Sequence, residues 1–255
     1  MLLAIDIGNT NIVIGCVRND IIEFKARIAT DHTRTSDQYG VEIKNMLEAF
    51  NIHREEITDC IISSVVPPVF NSVKTGVIKV IGKQPMVVGP GLKTGLDIQV
   101  DHPSQVGSDR IVIAVAALAE CPAPLILMDL GTATTIEVVA APRTYLGGVI
   151  YPGVKLSLDA LTSRASQLPG ISLDKPRQVI GKNTVDCMRS GMMYGTAAML
   201  DGIIDRMEEE LGYSATVVAT GGMAQFIVPL CKRKIVLEKD LLLKGLNIIY
   251  KKNKK

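Results

Sequence analysis

Apolar residues recur along this chain with two alternating periods. Residues 2–6 and 12–17 are short β-branched runs on either side of Gly8-Asn9-Thr10-Asn11, which predicts a hairpin at the start of a sheet. Tyr39, Ile43, Met46, Leu47 and Phe50 then fall on one stripe of a helix, with Ser36 as its expected cap. Residues 60–66 predict a buried strand ended by Pro67-Pro68. Phe70, Val73, Val77, Ile78 and Ile81 repeat the helical stripe, and residues 86–88 supply a further strand before a loop over 89–105. The pattern restarts with an apolar helix at 111–119, strands at 125–129, 135–139 and 145–150, and a helix after Pro152-Gly153. A long stretch of helix formers covers 184–211, although Gly191, Gly195 and Gly202 imply close packing or a break. Strands at 215–219 and 235–237, a turn at Gly221-Gly222 and a helix at 241–249 complete the reading. Strand and helix alternate throughout, which predicts an α/β protein.

Composition narrows the function classes. With 255 residues, 47% hydrophobic and 21% charged, the chain can bury a sizeable core and is too poorly charged for disorder. Lys and Arg total 28 against 26 for Asp and Glu, a formal charge of +2, so no overall field draws it onto nucleic acid. The lysines at the end of the chain read as a solvated tail, a nucleic-acid arm being the other reading of such a run. The longest apolar run, residues 111–119, is far short of the ~20 residues that span a bilayer, so no membrane crossing is expected. The opening MLLAIDIGNTN lacks a basic n-region and is interrupted by Asp6 and Asn9, so the expectation is a cytoplasmic protein without a secretory signal. Cys16, Cys60, Cys121, Cys187 and Cys231 are an odd, widely spaced set without a CxxC, expected to be reduced. His32, His53 and His102 have no ligand-like spacing.

One repeat organises the chain. Ala4-Ile5-Asp6-Ile7-Gly8-Asn9-Thr10 and Leu127-Met128-Asp129-Leu130-Gly131-Thr132-Ala133 share an apolar-apolar-Asp-apolar-Gly-polar pattern and lie about half the chain apart, which indicates an internal duplication. Each copy puts an Asp at a strand end, then a glycine turn with hydroxyl or amide side chains. Such a turn lets backbone N–H groups approach phosphate oxygens, because no Cβ stands in the way. The Asp can hold a cation that offsets phosphate charge. A single copy is better read as an ordinary hairpin turn whose strand-end Asp accepts backbone N–H bonds; the recurrence reverses that balance toward phosphate binding. Gly89-Pro90-Gly91-Leu92-Lys93-Thr94-Gly95 matches no phosphate-loop pattern and reads as a structural turn.

Gly107-Ser108-Asp109-Arg110, just before the apolar helix, is the candidate for proton transfer. Asp109 at a loop–helix junction can be aimed at a substrate as a base, and Arg110 offers a fork of donors for a carboxylate or phosphate. From spacing alone, Ser108 or Asp109 as a plain helix cap and Arg110 as a surface residue are as well supported. No GxSxG or HExxH occurs, so serine-hydrolase and zinc-protease chemistry have no support.

The paired turns, with the later Ala219-Thr220-Gly221-Gly222, resemble the two phosphate motifs and the adenosine motif of the superfamily that includes acetate and sugar kinases, Hsp70 and actin. More narrowly, AIDIGNTN near the N-terminus, GPGLKTGL at 89–96, VGSDRI at 106–111, DLGTATT at 129–135 and GGVIYPG at 147–153 together resemble type III pantothenate kinases, in order and over nearly the whole chain. The resemblance implies an α/β fold of two duplicated ribonuclease-H-like halves, residues 1–105 and 106–255, each a mixed sheet flanked by helices, with an ATP cleft between them. It implies ATP-dependent phosphorylation of the primary hydroxyl of pantothenate to 4'-phosphopantothenate, the first step of coenzyme A biosynthesis.

The same resemblance implies roles for particular residues. Asp6, Ile7, Gly8, Asn9, Thr10, Asn11, Ile12 and Val13 would form the first phosphate loop, with Asp6 near the Mg2+ of MgATP, and Thr132 would contact ATP from the second turn. Asp109 would be the general base. Gly107, Ser108 and Arg110 would help hold pantothenate, and Thr184 would contact it across a homodimer interface. Asp129 would bind a monovalent cation, K+ or NH4+. Family members often carry a tyrosine where this chain has Val100, so a substrate hydrogen bond expected there must be absent or replaced. A catalytically inactive nucleotide-binding accessory protein acting on transcription is the alternative, disfavoured by the retention of Asp6, Asp109 and Asp129; a sugar or acetate kinase is a third reading.

Overall fold

The computed structural model describes residues 1–254. Along the chain the elements are β1 (Leu2–Ile7), β2 (Asn11–Arg18), β3 (Ile21–Ala29), α1 (Ser36–Ala49), β4 (Asp59–Ser64), α2 (Pro67–Ile81), β5 (Met86–Val87), β6 (Asp97–Ile98) and α3 (Ser108–Glu120). They continue with β7 (Leu125–Leu130), β8 (Ala133–Ala140), β9 (Thr144–Pro152), α4 (Val154–Arg164), α5 (Thr184–Leu211), β10 (Thr216–Thr220), α6 (Ala224–Ile227), β11 (Val236–Leu237) and α7 (Leu241–Asn253). Local chemistry sets several boundaries. Thr35, not Ser36, caps α1: its hydroxyl accepts from the Gln38 N–H while the Gln38 side chain accepts from the Thr35 N–H at 2.8 Å, a capping box. Pro67 and Pro68 do more than end a strand; they open α2, where a fixed φ and a missing N–H cost nothing.

The residues group into two compact units. The first holds Met1–Leu96, Asp101–Ala117 and the segment from Asp240 onward, the second Asp97–Val100 and Leu118–Lys239. A cut at residue 105 therefore separates the motif copies but does not follow the packing: most of α3, and all of α7, belong with the first sheet.

The duplication is visible in the strand order. The first sheet runs β3-β2-β1-β4-β5, and the second, read from β9, runs β9-β8-β7-β10-β11, with the short β6 added beside β9. β1 is antiparallel to β2 and parallel to β4, just as β7 is antiparallel to β8 and parallel to β10. Asp6 pairs in register with Ser63 of β4, and Asp129 with Thr220 of β10.

Both faces of the first sheet are buried, and period 2 sorts the side chains between them. Leu3, Ile5 and Ile7 join Ile12, Ile14 and Ile62 in a core under α1 and α2, where Tyr39, Ile43, Val73 and Val77 pack. Leu2 and Ala4 face the other way with Val13 and Ile61, against Val112 and Val115 of α3 and Leu243, Leu246 and Ile249 of α7. Asp6 follows Leu2 and Ala4 in the alternation, so it lies on the α3 side. In the second unit, Ile126, Met128, Leu130, Ile136 and Val138 pack against Met193, Ala197, Leu200 and Ile204 of α5 and against α4 and α6. Asp129 stands on the opposite side of that sheet.

Candidate active site

The C-terminal end of β1 carries the most deeply buried carboxylate of the first unit. Asp6 is 5% exposed and its Oδ1 accepts from the Ser63 hydroxyl at 2.5 Å. Burial pushes the Asp6 carboxyl up to about 7; the Ser63 hydrogen bond opposes that shift and the nearby Asp109 charge adds to it. Asp6 and Asp109 therefore feel each other's charge.

The next residue of β4 holds the other acid in place. The Ser108 hydroxyl accepts from the Ser64 N–H and donates to the Ser64 carbonyl, both at 3.1 Å, which ties the start of α3 to the end of β4. One residue on, the Asp109 carboxylate accepts from the Arg110 N–H at 2.8 Å. Burial raises the Asp109 carboxyl above its ordinary range, against the lowering effects of the Arg110 N–H and the Arg110 charge. The two readings of Asp109 are thus both realised: it satisfies helix N–H groups and is a perturbed acid beside a second one. Gly107 is shaped for it, because a Cβ there would come within 2.5 Å of Asp109 Oδ1. Gly107→Ala is expected to fold, since only a side-chain tip must give way, and to lower kcat by displacing that carboxylate; steady-state kinetics beside a melting curve will check both.

The first glycine turn presents donors at its tip. The Gly8 N–H donates to the Asn11 carbonyl at 3.1 Å, and Thr30 anchors the turn by donating its hydroxyl to the Gly8 carbonyl at 2.6 Å. Asn9, Thr10 and Asn11 are exposed there, whereas the side chains of Ile7, Ile12 and Val13 belong to the cores, leaving those three only backbone to offer a ligand.

In the second unit, three motif pieces converge. The Gly131 N–H donates to the Ala133 carbonyl and the Gly153 N–H to the Thr132 carbonyl, both at 3.0 Å, so the end of GGVIYPG rests on the DLGTATT turn. That turn is one residue shorter than its counterpart: Leu130 pairs with Thr134, but Ile7 with Ile12. Gly221 has φ +98°, and a Cβ on it would lie 2.4 Å from Asp129 Oδ1 and 2.6 Å from the Leu130 nitrogen, so only glycine fits against the Asp129 carboxylate. Met223 N–H closes the turn onto the Leu130 carbonyl at 3.1 Å.

The remaining expected residues sit elsewhere in that unit. Val100 follows β6, with its Cγ1 3.5 Å from where a Cβ on Gly147 would stand. Thr184 is the exposed first residue of α5, behind an Asn183 cap whose side chain accepts from the Asp186 N–H at 2.9 Å. Ser63, Ser64 and Thr30 went unnoticed in the sequence; the signal for the first two was a pair of hydroxyls inside an otherwise apolar strand. His32, His53 and His102 are exposed, all five cysteines are free, and among the described residues no three His, Cys, Asp or Glu side chains gather as a metal cage requires. No described helix is long and apolar enough to cross a membrane.

Two sheets of matching strand order, each with an acidic strand end beside a glycine turn, define a duplicated α/β fold of the actin and sugar-kinase type. Solved structures share it: an inorganic polyphosphate/ATP-glucomannokinase from Arthrobacter sp. strain KM is similar at a TM-score of 0.51 and 13% identity, covering 97% of this chain and 96% of that one. Component A of (R)-2-hydroxyglutaryl-CoA dehydratase from Acidaminococcus fermentans is similar at a TM-score of 0.54 and 14% identity, covering 96% and 94%. The sequence decides among such proteins. The type III pantothenate kinase profile matches residues 2–206, and a type III pantothenate kinase from Exiguobacterium sibiricum is 46% identical over 254 residues, the full length of both chains. The chain belongs to the type III pantothenate kinase family and is a phosphotransferase.

Proposed function

We propose that the chain transfers the γ-phosphoryl group of ATP to the primary hydroxyl of pantothenate, giving 4'-phosphopantothenate and opening coenzyme A synthesis in the cytoplasm. The observation that carries this reading is the pair of acids at neighbouring strand and helix ends, Asp6 on β1 and Asp109 on α3, both tied to the end of β4. Phosphoryl transfer asks a protein for positioning and charge neutralisation rather than for a nucleophile of its own. Asp109 takes the proton from the attacking hydroxyl; a carboxylate raised by burial is a better base near neutral pH than an ordinary one. Gly107 and Arg110 hold pantothenate, Arg110 through its guanidinium, while Ser108 secures the loop through its bonds to Ser64.

The exposed donors of Asn9, Thr10 and Asn11 would bind phosphate oxygens, Gly8 shaping the turn that presents them, with Thr132 contributing from the second turn. Asp6 would hold the hydrated Mg2+ that arrives with ATP. Asp129 would hold the monovalent cation. A strand-end carboxylate offers the oxygen ligand that K+ or NH4+ takes, and the ion would supply positive charge beside the phosphates.

A homodimer completes the substrate pocket in this reading. Thr184, Cys187, Gly191, Gly195 and Ala198 recur at helical spacing on the exposed side of α5, and a Cβ on Gly191 or Gly195 would meet nothing within 4 Å. Glycine costs about 1 kcal/mol against alanine inside an exposed helix, so nothing among the described residues accounts for these two; a second helix approaching closely would. Ile150, Tyr151, Leu156 and Ile180 are exposed apolar side chains of the same unit, surface that a partner would cover. On this stripe Thr184 would contact the pantothenate bound to a partner copy.

The deciding experiment is ADP release by the purified protein with and without pantothenate, in Na+ and then K+ or NH4+ buffer. Stimulation by pantothenate that also needs K+ or NH4+ is expected. ATP turnover indifferent to pantothenate would refute the kinase reading, and equal rates in Na+ would remove the cation role of Asp129.

A further inference from the structure

Ser63 has no part in the mechanism above, yet its hydroxyl donates to the Asp6 carboxylate from a position with 0% exposure. Resting on the kinase reading, we propose that Ser63 is a positioning residue for phosphoryl transfer: its hydroxyl fixes the rotation of the Asp6 carboxylate, so that Oδ1 is held by the protein and Oδ2 is left to the nucleotide's hydrated cation.

Three observations carry this. First, the bond lies in a dry place. A hydrogen bond between a 0% and a 5% exposed group is not exchanged with water, and leaving such a carboxylate without it carries a penalty that solvent does not relieve. Second, the core has no need of the hydroxyl. Ser63 follows Cys60, Ile61 and Ile62 in a buried strand, where alanine would fill almost the same space. Third, the register recurs. The pairing that sets Ser63 beside Asp6 sets Thr220 beside Asp129, again a buried hydroxyl residue opposite the strand-end acid, here 3% exposed. Two halves that differ in turn length have kept a hydroxyl next to the strand-end acid. Because Ser64 binds Ser108, the same strand end also fixes the start of the helix that carries Asp109, so β4 sets both acids from consecutive residues.

The test compares Ser63→Ala, Ser63→Thr, Asp6→Asn and the Ser63→Ala/Asp6→Asn double variant. Two readouts are used: steady-state kinetics with pantothenate, and the rise in Tm that MgATP gives the protein. Ser63→Ala is expected to lower kcat about 10- to 100-fold, the range typical for removing a group that orients a ligating side chain, with the KM for pantothenate within about twofold of the parent. Its MgATP-induced rise in Tm should shrink as well. Ser63→Thr should restore both readouts, since threonine occupies the matching place in the second sheet. In the double variant the losses should not add, because Ser63 acts through Asp6. An unchanged kcat and MgATP response in Ser63→Ala would overturn the proposal. So would equal losses in the Ala and Thr variants, or full additivity with Asp6→Asn. If the parent protein itself shows no pantothenate-dependent turnover, the kinase reading fails instead, and the MgATP response alone decides the role of Ser63.

Discussion

Asp109→Asn is expected to lower pantothenate-dependent turnover by about 10²- to 10⁴-fold, the range a positioned general base supplies. The substitution is nearly isosteric, and an asparagine Oδ1 can still accept from the Arg110 N–H, so the first turn of α3 keeps its anchor. Ser108 still clasps Ser64. What is lost is the capacity to take a proton. MgATP binding should therefore persist, measured by nucleotide protection against unfolding, while single-turnover transfer collapses. The pH profile of the parent enzyme offers a second check. A base must be ionised, and burial raises this carboxyl, so kcat/KM should climb with pH through a limb lying above the ordinary aspartate value of 3.8. A variant that phosphorylates pantothenate at the parental rate would remove Asp109 from the chemistry.

Asp6→Asn should raise stability and lower activity. The Asp6 carboxyl has an unfolded value of 3.8 and a folded one of about 7. Between those values the folded protein holds a proton that the unfolded chain has released, so stability falls as pH rises from about 4 to about 7 and is level above. At about 1.4 kcal/mol per pKa unit, ionising this buried group costs roughly 4 kcal/mol in the nucleotide-free protein at pH 8. Asparagine removes that cost and still accepts from the Ser63 hydroxyl. Calorimetry without nucleotide should find Asp6→Asn more stable than the parent at pH 8 and little different at pH 4, while MgATP no longer raises its Tm. Equal differences in Tm at both pH values would contradict the assignment. The site holds an acid where the fold alone would prefer an amide, which is what a cation-facing residue requires.

Local signals and long-range ones were not equally legible in the sequence. The hairpin of β1 and β2, the stripes of α1 and α2 and the extent of α5 follow from period and punctuation, which act over a few residues. β3 was legible and missed: Ile22, Phe24, Ala26 and Ile28 alternate with Glu23, Lys25 and Arg27, the period of a strand with one face covered. The two-residue β6 has no period to detect; it is defined by pairing with β9. Asp6, Asp109 and Asp129 stand out in the sequence because their motifs are contiguous. Ser63 does not, because its meaning lies in a parallel pairing with a residue 57 positions away, and no turn connects the two strands to announce it. The packing of α3 and α7 on the first sheet was hidden for the same reason: an apolar stripe says that a helix is covered, not by what.

The return of α7 to the first sheet has a consequence for biogenesis. Leu243, Leu246 and Ile249 close the side of β1 and β4 on which Asp6 lies, and they leave the ribosome only after the whole of Leu118–Lys239. Until they emerge, the layer that surrounds Asp6 is open, and the second unit, which apart from Asp97–Val100 is the single segment Leu118–Lys239, can mature before the first. Genetic dissection at the motif repeat would thus strand the earlier half without its closing helix, while a fragment that begins at Leu118 and stops at Lys239 carries nearly all of its own packing.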